Sequence, residues 1–344
     1  MSKAVKLADI GAKLGVSAVT VSKALSGQKG VSEEMRAKIV ALADEMGYVR
    51  TTARIDRRDM RHYTIGVIMS EQFMDRGQSF YSSLYQELTR AAAQAGSYAI
   101  MELVSFENER RNFIPQVAYA RKCDGVIVLG DFSRRYAHYL EDHVGIPMIY
   151  LDSNGRFDIH DCVVSNNMLG GYEMTSYLLN LGHSKIGFVG TRLVTTSIDD
   201  RFLGYYKALM ERGIPLREDW IIDDREWTKN VDRYVETMRL PEDMPTAFFA
   251  NCDMSATFFK EKLKEKEYRV PDDISLVGFD NFVVSGEDEF TTYEVEQSKM
   301  AKNAIHMIIR KIRDPQSEPG TLILPGRFIE RNSAKRIGPP VPRI

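Results

Sequence analysis

From Tyr63 onward, short apolar runs alternate with longer amphipathic stretches, and this alternation limits the fold more than any other feature of the chain. The runs TIGVIMS (64–70), SYAIMEL (97–103), DGVIVLG (124–130) and IPMIYLD (146–152) are continuous and β-rich, as strands buried on both faces must be. Helical patterns fall between them, near 79–95, 108–121 and 133–143. A second series follows: DCVVSN (161–166), KIGFVGT (185–191), TAFFAN (246–251) and ISLVGFD (274–280). Its helices are expected near 167–181, 199–212, 229–238 and 252–267. Strand–helix alternation builds a parallel sheet covered by helices on both faces, so two series predict two doubly wound lobes. A helix near 297–313 and the run TLILPGRF come after the second series, so the chain is expected to return to the first lobe. The expected core is 63–334, with one lobe at 63–162 and 292–325 and the other at 163–291 and 326–334. The proline-rich end, 335–344, reads as a disordered tail.

The first 49 residues follow a different rule. Leu7, Ile10 and Leu14 recur at helical spacing, Gly15 stops that helix, and Ser17 is placed to cap the next. Val21 and Leu25 give the second helix its apolar pair. A third starts at Ser32, with Glu33 and Glu34 at its positive end and Met35, Ile39, Leu42 and Met46 on its inner face. Two helices joined by Gly15-Val16-Ser17 and braced by a third form a helix-turn-helix, although a generic three-helix adaptor has the same pattern. In the second helix, Ala18, Val19, Ser22 and Lys23 lie off the buried face. Ala18 and Val19 suit thymine methyls, and Lys23 suits guanine or a phosphate. The hydroxyls of Ser17, Thr20 and Ser22 suit phosphates.

Charge separates the same two regions. Residues 1–61 carry a net +5 and residues 62–344 a net −7, within a total of −2. A basic head on an acidic body fits a head that meets a polyanion such as double-stranded DNA, although a solvated charged surface fits the charge equally well and the helical pattern decides between them. Cys123, Cys162 and Cys252 are odd in number and lack CxxC spacing, so neither a disulfide frame nor a zinc site is expected. No long apolar run or export signal is present, and a cytoplasmic protein without membrane contact is expected. GxGxxG, Walker A, HExxH and GxSxG are absent, so no cofactor, metal or catalytic residue is expected.

In doubly wound sheets ligands bind beyond the carboxyl ends of the strands. The strand-end residues Ser70, Asp152, Asn166, Thr191, Asn251 and Asp280 are therefore candidates for a site between the lobes. Their acids, amides and hydroxyls suit a polyhydroxyl or heterocyclic ligand.

The runs DIGAKLGVSAVTVSKALSG and VSEEMRAKIVALADEMGY resemble the N-terminal signature of the LacI/GalR family of bacterial repressors. The resemblance implies a helix-turn-helix head on a periplasmic-binding-protein-like sensor, base reading by Ala18, Val19 and Lys23, a homodimer, and a small effector. LGHSKIGFVG followed by Arg201-Phe202-Leu203-Gly204 resembles the family's LGHxxIxxxxG and RxxG, whose arginine grips the effector. FFANCDM and ISLVGFDN give Asn251 and Asp280 by the same resemblance. Phe80 and Tyr81 fall where an aromatic pair lines the pocket mouth, and Trp227 where some members stack a ring on a sugar. There are departures. Lys6 replaces the usual Thr cap, Gly11 sits inside the first helix, Cys252 stands where an Asp is usual, and the TTxxQ glutamine is missing after Thr292. The linker at 50–62 lacks the Pro-Asn pair and the wedge leucine of the family. It fits either a hinge helix with Arg54 and Ile55 in the minor groove or a basic segment touching phosphates. The expected function is an effector-controlled repressor of carbohydrate-related genes. An α/β enzyme processing a sugar, or a plain small-molecule binder, is the alternative on the same lobes.

Overall fold

The computed structural model describes residues 7–25, 30–46, 62–74, 79–119, 122–154, 160–225, 238–282 and 290–344. They fall into two compact units, residues 1–61 and 62–344.

The first unit is three helices, α1 (Leu7–Leu14), α2 (Ala18–Leu25) and α3 (Glu33–Glu45). Ile10, Val21, Ala24, Ile39 and Ala43 form its core. The Ser17 hydroxyl accepts from the Thr20 amide at 3.1 Å and caps α2, and the Ser32 hydroxyl caps α3 through Met35. Gly11, costly inside a helix by about 1 kcal/mol, has a reason: a Cβ there would lie 2.6 Å from the Val16 carbonyl oxygen. The close approach lets the turn fold back on α1.

In the second unit one sheet holds β1 (Thr64–Ser70), β2 (Tyr98–Val104), β3 (Gly125–Leu129), β4 (Met148–Leu151), β5 (Cys162–Ser165) and β11 (Thr321–Leu324). Its order is β11-β5-β4-β3-β1-β2, and every pair is parallel. Strand residues alternate between two faces. Ile127 and Leu129 pack under α4 (Phe80–Gln94) and α10 (Gln297–Arg313), whereas Val126 and Val128 pack under α6 (Arg134–His143). The second sheet runs β7 (Ile221–Ile222), β6 (Ile186–Val189), β8 (Ala247–Ala250), β9 (Ser275–Val277), also parallel. Helices α7 (Asn167–Asn180) and α8 (Thr196–Met210) cover one face and α9 (Asp253–Lys264) the other. The short pair β10 (Thr292–Glu294) and β12 (Arg327–Ile329) is antiparallel and bridges to the end of β9.

Four expectations need correction. DCVVSN opens the second series in sequence, yet Cys162–Ser165 pairs between β4 and β11 in the first sheet, so the chain crosses at Asn166. Thr292–Glu294 stays with the second lobe, so the return to the first lobe comes just before α10. Register and hydrogen bonding decide both, and neither is visible in an apolar run. In place of a helix at 108–121 there is one turn, α5 (Phe106–Arg110), and a 3₁₀ segment at Gln116–Ala118. Asn112 takes φ 54° and Pro115 cannot donate, so the helix ends early. The tail is ordered: Ile337, Val341 and Ile344 donate backbone hydrogen bonds to Leu181, Leu179 and Glu211, capping carbonyls at the ends of α7 and α8. The expected helix at 229–238 lies almost entirely outside the described residues.

Candidate functional site

Two places gather the candidate residues. On α2, Ala18, Val19, Ser22 and Lys23 are exposed, with Val19 at 64 %. Val19 thus turns its methyls to solvent while Val21 and Ala24 of the same helix are buried. The Ser17 hydroxyl is engaged by the cap and by the Thr20 hydroxyl at 2.9 Å. Arg36 of α3 donates to the Ala24 carbonyl at 2.6 Å and holds the end of α2. Arg54 and Ile55 lie outside the described residues.

The second place is the cleft where the carboxyl ends of both sheets meet. Arg201 on α8 is its centre and is 4 % exposed. Its guanidinium pairs with Asp280 at 2.9 Å, donates to the Asn251 carbonyl at 2.7 Å and the Asn167 side-chain oxygen at 2.9 Å, and lies 3.8 Å over the Phe279 ring. This is a planar cation held on its edge by oxygens and on its face by an aromatic ring. Asp152 ends β4 at 3 % exposure and accepts from the Tyr81 hydroxyl at 3.0 Å through one oxygen. Its other oxygen has no hydrogen-bond partner among the described residues. Burial pushes the Asp152 pKa up to about 7 against the opposing charge of Arg201, with Asp280 and Asp131 adding to the rise. Burial likewise raises Asp280, against Arg201. Both carboxylates sit on left-handed backbone, Asp152 at φ 57° and Asp280 at φ 93°. Such strain in non-glycine residues gathers where side chains must be aimed. The Tyr81 ring lies 4.6 Å from Phe73 at a tilt of 36°, with Phe80 edge-on at 5.3 Å.

The remaining candidates have other roles. Ser70 is buried at the end of β1. Asn166 caps α7 through Leu169. Thr191 bonds the buried Asp224, which also accepts from Ser255, Arg225 and the Asn251 side-chain amide. The Asn251 amide is thus spent on the framework, and only its carbonyl serves Arg201. Burial alone would raise Asp224, but the charge and hydrogen bonds of Arg225, then those of Ser255 and Thr191, hold it well below the usual range. Trp227 lies outside the described residues. Sequence reasoning missed Asn167, Phe279, Asp131 and Thr196. Asp131 had a signal, since it stands two residues past β3.

Among the described residues no helix is long and apolar enough to cross a membrane, and no group of three His, Cys, Asp or Glu is placed to hold a metal. Residues 6–51 match the bacterial regulatory proteins of the lacI family, and residues 175–334 match the periplasmic binding protein-like domain. A transcriptional repressor, PurR of Aliivibrio salmonicida, is 24% identical over 332 residues, 96% of this chain and 98% of that one. PurR of Vibrio atlanticus is 26% identical over 96% and 98%. The transcriptional regulator CelR in its cellobiose complex superposes with a TM-score of 0.68 at 22% identity, covering 96% of this chain and all of that one. The lac repressor dimer bound to operator gives 0.64 at 20%, over 97% and 100%. With a lacI-family head at residues 6–51 and a periplasmic binding protein-like domain at 175–334, the chain belongs to the LacI/GalR family of transcription regulators, which join a helix-turn-helix head to an effector-binding sensor.

Proposed function

We propose that the chain is a homodimeric repressor of carbohydrate-related genes whose operator affinity is set by a neutral sugar or sugar derivative. The observation that carries the effector class is Asp152: a buried carboxylate with one unpartnered oxygen, beside the Arg201–Asp280 pair. An acceptor left bare in a desolvated site costs free energy until a donor arrives. Sugar hydroxyls donate to carboxylates and accept from guanidinium at once. The acid-rich setting of Asp131, Asp152 and Asp280 opposes a phosphorylated or acidic ligand. Relatives bound to cellobiose and ribose support the sugar reading, whereas the relatives named PurR keep other effectors in the test.

In this reading Ala18, Val19 and Lys23 touch bases, while Ser17, Thr20 and Ser22 position the head on phosphates. Residues 1–49 form the head, about 50–61 the linker with Arg54 and Ile55 nearest the DNA, and 62–344 the sensor. Phe80, Tyr81, Asp152, Arg201 and Asp280 line the effector site, with Ser70 and Asn251 in the framework behind it. A thermal-shift screen of sugars, sugar acids, phosphosugars and nucleobases tests the effector. A ligand that binds the folded state raises the melting temperature, by about 2.7 kcal/mol of stability at a hundred times Kd. Stabilisation by neutral sugars is expected, with a matching change in operator binding. Stabilisation by nucleobases alone would replace the sugar with a purine or pyrimidine.

A further inference from the structure

Among the described residues, a set of polar contacts in the cleft joins the two lobes directly. Asp131, two residues beyond β3 in the first lobe, is 1 % exposed. One carboxylate oxygen accepts from the Thr196 amide at 2.7 Å and the Thr196 hydroxyl at 3.0 Å, both in the second lobe. The other oxygen accepts from the Ser153 hydroxyl, which lies just past β4 in the first lobe. Thr196 is the first residue of α8, where the amide has no acceptor within its own helix and the dipole is positive. Arg201 follows five residues later on the same helix. The position of the first turn of α8 therefore sets where the guanidinium stands.

We infer that Asp131 is a positioning residue that latches the two lobes together and, through Thr196 and α8, holds Arg201 in the closed cleft. The bonds to Thr196 are charge-assisted and shielded from water, which makes them strong while the cleft is shut. Opening hydrates Asp131 and Thr196, and the exchange of protein bonds for water bonds keeps the net strength modest. A latch of this kind is reversible. It supplies part of the closure from the chain itself, so an effector need add only the remainder to shift the population. The consequence for Arg201 rests on reading the cleft as the effector site; the closure does not.

The test uses the full chain without added ligand. Spin labels at the exposed positions Gln94 on α4 and Met210 on α8, introduced as Gln94→Cys and Met210→Cys in a Cys252→Ser background, report the distance between lobes. Hydrogen exchange at the Thr196 amide reports the latch itself. The unmodified latch is expected to give one dominant short distance and a protected Thr196 amide. Asp131→Ala should raise the long-distance population several-fold and expose the Thr196 amide, while Gly204 and Tyr205 amides in the middle of α8 stay protected. Asp131→Asn keeps an acceptor for Thr196 and a donor for Ser153, and should restore the short distance. An unchanged distance distribution in a folded Asp131→Ala protein would reduce Asp131 to a helix cap and overturn the proposal. If Asp131→Ala does not fold, Thr196→Val, which removes one of the two interlobe bonds, must raise the long-distance population; no rise there overturns it equally. Lobe opening in a protein that no sugar stabilises would leave the latch standing and remove only the sugar.

Discussion

Gly204 of α8 faces the Met168 carbonyl of α7 so closely that a Cβ added to it would lie 2.2 Å from that oxygen. Gly171 on α7 answers it, since a Cβ there would lie 2.2 Å from the Arg201 carbonyl oxygen. The two helices touch backbone to backbone, and that contact places Arg201 under the ends of β8 and β9. Gly204→Ala must push the helices apart, an overpacking that costs about 1–3 kcal/mol. A lowered melting temperature is expected together with a weakened effector response. If alanine is tolerated in both measurements, the glycine in Arg201-Phe202-Leu203-Gly204 has no positioning role.

Lys23 is exposed on α2 beside Ala18 and Val19. Lys23→Ala should lower operator affinity by about 1–3 kcal/mol and affinity for random DNA by less, because a base contact is lost. Competition binding with both DNAs at one salt concentration measures the ratio. Equal losses would reassign Lys23 to a phosphate.

Arg201 offsets the buried charge of Asp280 and part of that of Asp152. Arg201→Ala strands both, a change worth about 3–5 kcal/mol when one partner of a buried pair is removed. Asp280→Asn removes a charge instead of exposing one and should be milder. Denaturant melts rank the two variants, and both should lose the effector response while binding operator. Arg201→Ala melting no lower than Asp280→Asn would show that the pair is not electrostatically coupled.

Asp152 gives the protein a pH dependence. Its folded pKa is raised to about 7 from an ordinary 3.8, so between those values the folded state keeps a proton that the unfolded chain has lost. Stability from this group is complete below pH 3.8 and is lost as the pH rises through 7. Asp200, raised to about 6 chiefly by burial, acts in the same direction. Asp152→Asn should therefore gain melting temperature relative to the unmodified protein as pH goes from 5 to 8. Parallel melting curves for the two proteins across that range would place the Asp152 pKa near its ordinary value.

The edge strand β2 carries Tyr98 at 67 %, Ile100 at 50 % and Leu103 at 41 % exposure. An open, apolar sheet edge is normally covered by a partner. With a second copy as that partner, Ile100→Glu should shift sedimentation from dimer towards monomer and lower operator affinity, since two heads bind two half-sites. A dimer undisturbed by Ile100→Glu would move the interface elsewhere.

Periodicity carried much of this protein. Continuous apolar runs are strands buried on both faces whichever sheet they join, and the spacing of Leu7, Ile10 and Leu14, and of Met35, Ile39 and Leu42, demands helices in the head, because each pattern depends only on neighbours in the chain. The strand ending at Asp280 was legible for the same reason, whereas Arg201 was singled out only by the resemblance of Arg201-Phe202-Leu203-Gly204 to a family motif. Which sheet Cys162–Ser165 enters was not, since pairing depends on hydrogen bonds to β11, more than 150 residues away. Nor was the order in the last ten residues, whose partners are helix-end carbonyls of α7 and α8. Asn251 shows the limit within the site: a strand-end amide reads as a ligand contact until Asp224 and Ser255 are seen to occupy it. The sequence alone determined most of the elements, the helix expected at 108–121 excepted, and the acids and bases available. Only the tertiary structure decided that Asp152 keeps a bare oxygen and that Asp131 spans the lobes, because burial and the geometry of distant donors exist only once the chain has closed on itself.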